Sequence, residues 1–374
     1  MTHKKIYFEN LDGLRFLSFL AVFLFHSFHT DFDYIKDTST YHFIKRDLVG
    51  NGNIGVNFFF VLSGFLITYL LLEEKKLLGQ IDLKKFWIRR ILRIWPLFYF
   101  CVLFGFFIFP FLKSLFGQTP NETASLVYYL TFTNNFDFIA KGPPDASILG
   151  VLWSVAIEEQ FYALWPIVLF LLPIIRHWIA FVTVIITSIV FIALTDNYEM
   201  REYHTVACIG DMAVGALGAW LISESATFKN EIVNLSKIQI IFIYVALVLV
   251  LLSRDELRVF YISRVTERLV VAVIALAIIL EQNYSANSFY KMSRFKMLSK
   301  LGVISYGLYC YHFIGILTTT TLTSKLGLNT SLWQVMILET CMALGITIVI
   351  GMVSYRFFET PFLKLKNRFE YIHK

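Results

Sequence analysis

A peptide backbone enters hydrocarbon only if each N–H and C=O finds a partner within its own segment, and a helix needs about 20 mainly apolar residues to cross. This chain offers about ten such stretches by that length rule. They lie near residues 11–29, 54–72, 94–113, 148–172, 177–195, 203–222, 238–253, 267–281, 299–321 and 332–356. The pattern predicts an all-α fold, a polytopic membrane protein with about ten transmembrane helices. Of the 374 residues, 57% are hydrophobic and 16% are charged, against about 25% charged in an ordinary soluble domain. With 38 Phe and 19 Tyr, so much apolar surface has no place on a wet exterior. A soluble enzyme, a nucleic-acid-binding domain and a disordered chain are excluded together. The net charge of +6 reflects Lys and Arg kept in cytoplasmic loops, not a nucleic-acid partner.

Topology follows from those basic loops. The first span holds Arg15 and His26 and no small-residue cleavage site, so it does not read as a cleavable signal. Residues 73–93 carry seven Lys or Arg and are expected to be cytoplasmic. Ten spans put Lys4 and Lys5, the loop with Lys291, Arg294, Lys296 and Lys300, the tail with Lys364, Lys366 and Arg368, and both termini on that same side. The connection 254–268, with Arg254, Arg258, Arg264 and Arg268, then falls outside and breaks the rule. The longest polar connections, 30–53 and 114–147, are also expected outside; their aromatics, Asp and Asn suit sugars and equally suit a plain solvated loop. Cys101, Cys208, Cys310 and Cys341 sit in apolar stretches without paired spacing, so neither a disulfide nor a metal site is expected. Without repeats or low-complexity tracts, residues 1–374 read as one integral membrane domain with no appended soluble domain.

Charges at membrane depth are costly and mark function by default. Arg15 and His26 are separated by ten residues; eleven steps of 100° return to within about 20° of the same face, about 16 Å along the axis. Asp12 lies one turn before Arg15. The alternative is a snorkelling arginine and a satisfied core histidine. In LWSVAIEEQFYALWP, Ser154, Glu158 and Tyr162 repeat every four residues and line one stripe, while Glu159 points about 100° away toward another helix. Both glutamates could instead sit in an interfacial segment. Arg90 and Arg93 are one turn apart with Arg89 adjacent, a pattern suited to bidentate phosphate binding and equally to a positive-inside flank. Gly55, Ser63 and Gly64 permit close helix approach or free backbone N–H groups for an anion. Pro96 marks a possible kink. Asp211 and His312 lie inside apolar runs, and Glu359 follows Arg356 at the end of the last span, where it is expected to pair with an arginine at the cytoplasmic rim.

Taken together these segments resemble the membrane-bound O-acyltransferases of the acyltransferase 3 family. The residues that carry the resemblance are Asp12-Gly13-Leu14-Arg15 with His26; Gly55-Val56 through Phe59-Phe60-Val61-Leu62-Ser63-Gly64-Phe65; Arg89-Arg90-Ile91-Leu92-Arg93 with Pro96; Trp153-Ser154 through Glu158-Glu159-Gln160-Phe161-Tyr162; Ile304-Ser305-Tyr306 with His312; and Tyr355-Arg356 with Glu359 and Pro361. The resemblance implies ten spans, both termini cytoplasmic, and residence in a bacterial cytoplasmic (inner) membrane. It implies transfer of an acyl group, usually acetyl from acetyl-CoA, to a hydroxyl of a cell-surface or exported carbohydrate or glycolipid. The family's arginine–ten residues–histidine pair falls on Arg15 and His26, and its third-span arginine pair on Arg90 and Arg93. Family members often carry a histidine two residues before the tryptophan of the glutamate motif; Val151 stands there in this chain. Many members append an extracytoplasmic domain, so a separate extracytoplasmic transfer protein is an expected partner.

The expected chemistry is acetyl-CoA-dependent O-acetyl transfer. Arg90 and Arg93, helped by Arg89, are expected to hold the CoA phosphates. His26 is expected to act as general base, since imidazole titrates near working pH, and direct transfer and an acyl-histidine intermediate both stay open. Asp12 and Arg15 are expected to orient the donor, and Ser154 and Glu158 to line the reaction path, with Glu158 orienting His26 or replacing it. Ser63, Glu159, Tyr162, His312 and Glu359 are supporting candidates. No metal is expected. A polysaccharide or glycolipid exporter built on ten spans with a basic inner rim is the competing reading.

Overall fold

The computed structural model describes residues 7–257 and 260–369, with side chains described to residue 253 in the first stretch. Among the described residues the chain is helical nearly throughout and holds no strand. The helices that matter are α1 Glu9–Phe25, α2 Ile54–Leu78, α3 Leu83–Leu115, α4 Leu152–Leu171, α5 His177–Leu194, α6 Thr205–Glu224, α7 Lys237–Leu257, α8 Tyr261–Tyr284, α9 Lys296–Val303, α10 Ser305–Leu326 and α11 Gln334–Phe369. All the predicted apolar stretches coincide with helices. Among the described residues six helical segments are long and apolar enough to cross a bilayer alone. The count reaches eight if the short helix Ala226–Val233 and α7, bent by 87°, and α9 with α10, bent by 82°, each form one span. About ten is therefore slightly more than found. The difference lies in α1, which has 17 residues, and in α8, which carries Arg264, Glu267, Arg268 and Glu281.

Helix ends depart from the sequence reading in ways that shape the site. The basic stretch 73–93 is two helix ends and a short joint. Gly79 closes α2 at φ 76°, a left-handed backbone that suits glycine. Asp82 opens α3 by accepting a hydrogen bond from the Lys85 amide at 2.9 Å. Arg89, Arg90 and Arg93 thus ride inside a helix, which continues past Pro96. At the other end α1 stops at Phe25, so His26 is its C-cap. The predicted outside connection 254–268 is also corrected: α8 begins at Tyr261, and Arg268 is a buried helical residue paired with Asp211 at 2.9 Å. Burial of that charge against a carboxylate removes the exception to the positive-inside pattern at Arg268. Lys4, Lys5, Arg258 and the Arg254 side chain lie outside the described residues.

The centre of the bundle is the α2–α6 pair. A β-carbon on Gly64 would lie 2.0 Å from the Met212 carbonyl oxygen, and one on Gly215 would lie 2.0 Å from that of Val61. Glycine at both positions lets the two backbones touch. Gly55 and Gly302 press in the same way on α1, at the carbonyls of Ser18 and Asp12. These glycines serve packing, which closes the anion alternative for Gly55 and Gly64. Around this frame α1, α2, α3, α4 and α10 leave a string of cavities.

Candidate active site

The first cavity, about 1470 Å³ including its open mouth, is lined by Asp12 and Arg15 of α1, Glu74 of α2, Arg89, Arg90 and Arg93 of α3, and Lys366 of α11. Helical spacing of the arginines aims them at one space, but their partners differ. Arg89 donates to Glu74 Oε2 at 3.0 Å and to the Phe369 carbonyl at 2.8 Å, so it ties α3 to its neighbours. Arg90 lies over the rings of Phe86 and Tyr162, 5.6 and 5.8 Å from their centroids, with its buried Nε lacking an acceptor. Arg93 makes no direct hydrogen bond or salt bridge among the described residues and interacts at longer range with the Glu359 carboxylate. Arg15 donates to Asp12 Oδ1 at 2.6 Å, and the Tyr7 hydroxyl donates to Asp12 Oδ2. Two guanidinium groups with donor capacity to spare are what a phosphate needs.

A second cavity, about 820 Å³, adjoins the first, with Arg15, Leu66, Ile67, Arg90 and Arg93 lining both. Ser154, Glu158 and Tyr162 all line it. Tyr162 donates its hydroxyl to Glu158 Oε2 at 3.0 Å and accepts from the Ser63 hydroxyl. Ser154 Oγ lies 2.8 Å from the Tyr309 hydroxyl, and both are in reach of the Val151 carbonyl. Glu159, one residue round the helix, accepts from Trp95 Nε1 at 2.7 Å instead.

A third cavity, about 930 Å³, is lined by His26, Val56, Trp153, Tyr198, Tyr203, Arg268, Tyr309 and Phe313 among others. It shares Asn57, Tyr198, Glu202 and Arg268 with a fourth, about 830 Å³, that is also lined by Arg201, Arg264 and Glu267. The Asn57 amide and Arg268 both donate to Asp211 Oδ2 at 2.9 Å. His26 packs against the rings of Phe25, Phe313 and His312, centroids 4.9, 4.7 and 5.4 Å away. His312 is fully buried. Its Nδ1 faces the Tyr309 carbonyl at 2.6 Å, and its Nε2 has no partner among the described residues. A carbonyl only accepts, so Nδ1 carries the proton and Nε2 keeps its lone pair. The end of α1 that holds His26 is fastened by Lys45, which donates to the carbonyls of Phe25 at 2.9 Å and Ser27 at 2.6 Å; burial pushes Lys45 down to about 8.

The structure therefore gathers most of the predicted residues along one path but distributes them. Arg15 and His26 share a helix face yet line different cavities. Glu158 bonds to Tyr162 and not to His26, because α1 carries the imidazole beyond Tyr309 into the next cavity. Glu359 accepts from Ser354 Oγ at 3.0 Å and has Arg93, on α3, as its cationic neighbour, while Arg356 turns outward over Phe357. A π-type turn at Tyr355–Glu359 carries both side chains at the end of the last helix. Sequence reasoning passed over Tyr309, which lines two cavities, and Trp95, which claims Glu159. The tyrosine-rich run 305–312 was the available signal for the first. Among the described residues no group of three or more His, Cys, Asp and Glu is arranged to hold a metal.

Comparison with known proteins follows the same path. Residues 8–356 match the acyltransferase 3 family, described as an acyltransferase domain. The chain belongs to this family. It is 29% identical over 393 residues to the peptidoglycan O-acetyltransferase OatA of Listeria monocytogenes serovar 1/2a, covering 97% of this chain and 57% of the relative. It is 27% identical over 376 residues to the O-acetyltransferase OatA of Staphylococcus aureus, covering 96% and 57%. The acyltransferase chain thus spans a little over half the length of these relatives. No solved structure matches it.

Proposed function

We propose that the protein is a membrane O-acyltransferase that moves an acyl group, acetyl by preference, from acyl-CoA to a carbohydrate hydroxyl of the cell envelope. Its arginine-lined mouth faces the cytoplasm, as do both termini, and the membrane is the bacterial cytoplasmic membrane. The observation that carries the reading is the succession of cavities from Arg90 and Arg93, past Glu158 and Tyr162, to His26. Membership of the acyltransferase family and the likeness to O-acetyltransferases support it further.

The residues divide the work. Arg90 and Arg93 hold the CoA phosphates, with Arg89 fixing the helix they ride on. Asp12 keeps Arg15 aimed at the donor through their ion pair. The thioester end lies in the second cavity beside Ser154 and Glu158. The acceptor enters the third cavity, where Trp153, Tyr198 and Tyr203 offer faces to a sugar ring. His26 takes the hydroxyl proton as the oxygen attacks the thioester carbonyl. The C–O bond forms, the C–S bond breaks, and the CoA thiolate leaves and recovers the proton. His312 backs His26 and fixes its ring. Ser63 and Tyr162 hold Glu158 as counter-charge to the arginines, and Glu159 and Glu359 support the helices.

Proteoliposomes loaded with labelled acetyl-CoA and offered peptidoglycan fragments outside test this. Label moves to the sugar with the wild type, and His26→Ala stops transfer while the protein stays inserted. Flux of unmodified sugar without label transfer contradicts the proposal.

A further inference from the structure

Resting on the acyl-transfer reading above, we propose that Val56 and Tyr309 form a filter that restricts the transferred group to acetyl. The second and third cavities share only these two lining residues among the described residues. Donor carbon and acceptor oxygen approach from opposite sides, so they meet at this junction. The atoms that must occupy it are those of the acyl group, because the sulfur leaves on the inner side and the sugar stays on the outer.

Both walls are fixed. Tyr309, on α10, is 7% exposed; its hydroxyl is latched to Ser154 Oγ at 2.8 Å and to the Val151 carbonyl at 3.3 Å. Its ring stands edge-on to Phe59, centroids 6.0 Å apart. Val56, in the first turn of α2, is 8% exposed and follows Gly55, where a β-carbon would fall 2.3 Å from the Ser18 carbonyl oxygen. The α2 backbone there already rests on α1 and has no room to retreat. Packed interiors resist added methylenes when neighbouring groups are locked. Acetyl brings one methyl to the junction; propionyl and butyryl bring one and two methylenes more.

The test uses the full chain in proteoliposomes, with acetyl-, propionyl- or butyryl-CoA inside, peptidoglycan fragments outside, and CoA release as readout. The wild type is expected to prefer acetyl. Val56→Ala is expected to raise the propionyl-to-acetyl rate ratio about tenfold or more, the scale of one methylene in a fitted pocket. Val56→Phe is expected to lose acetyl transfer while binding acetyl-CoA as tightly as the wild type, so the proposal is tested even if the alanine variant fails to fold. A wild type that uses all three donors equally overturns the filter alone, as does a Val56→Phe protein with undiminished transfer. A wild type that releases no CoA from acetyl-CoA overturns the acyl-transfer reading, and the filter with it.

Discussion

The three neighbouring arginines of α3 differ in what holds them, and that difference predicts opposite phenotypes. Arg93 has no direct hydrogen bond or salt bridge among the described residues; it shares a cavity with Arg15 and Arg90 and acts on the buried Glu359 carboxylate only through longer-range attraction, so the fold holds its charge loosely. Replacing it by methionine removes repulsion from Arg15 and Arg90 and attraction to Glu359 together, which offset each other and leave the melting temperature nearly unchanged. A charge-assisted hydrogen bond to a ligand phosphate contributes about 1.5–3 kcal/mol, and each 1.4 kcal/mol is tenfold in affinity. Arg93→Met therefore weakens acetyl-CoA binding by about 10- to 150-fold. Arg89 is the converse. It pairs at 3.0 Å with Glu74, whose side chain is 1% exposed and also accepts from the Asp82 amide at 2.8 Å. Arg89→Met strands a buried carboxylate, at a cost of about 3–5 kcal/mol, and lowers the melting temperature by several degrees. Calorimetric titration of acetyl-CoA and thermal unfolding of the same detergent-purified variants measure both quantities. An Arg93→Met protein that loses stability but keeps its affinity, or an Arg89→Met protein that does the reverse, refutes the division of labour.

Three further outcomes follow from the geometry. Glu158→Gln lowers acyl transfer more than Glu159→Gln, because only Glu158 lines the cavity; steady-state CoA release checks the order, and the reverse order contradicts the assignment. Arg268→Met leaves Asp211 buried beside Asn57 without its cation and destabilises by about 3–5 kcal/mol, while the double variant with Asp211→Asn recovers most of that in thermal unfolding. Lys45 is held at about 8 against an ordinary 10.5. Between those values the unfolded chain binds a proton that the folded chain lacks, so stability rises with pH across that window and is flat below it; Lys45→Met removes the rise.

Helical periodicity made much of this legible. The stripe Ser154, Glu158, Tyr162 lines one cavity because the i, i+4 rule holds along an unbroken α4. Glu159 finds Trp95 on another helix for the same reason. The family resemblance named Arg90 and Arg93, but spacing alone did not separate them from Arg89, since the sequence carries no sign that Glu74 and the Phe369 carbonyl would engage one guanidinium and leave another. Arg268 read as a loop charge because its partner, Asp211, sits on a helix that only tertiary packing brings near. The cation that faces Glu359 is Arg93 of α3 and not Arg356 of its own helix, a choice that tertiary packing makes and a helical wheel does not show. Tyr309 was missed because a tyrosine in an aromatic run looks like filler until two cavities meet at its ring.

The glycine contacts that join α2 to α6 bear on how cargo crosses this membrane. Alternating-access carriers rock one bundle against another, which requires a sliding seam between them. Here α2 and α6 meet main chain to main chain at Gly64 and Gly215, with no side chain between them to act as a bearing. On the proposed acyl transfer, only the small acyl group has to pass this seam, while its nucleotide carrier and the accepting glycan keep to their own faces.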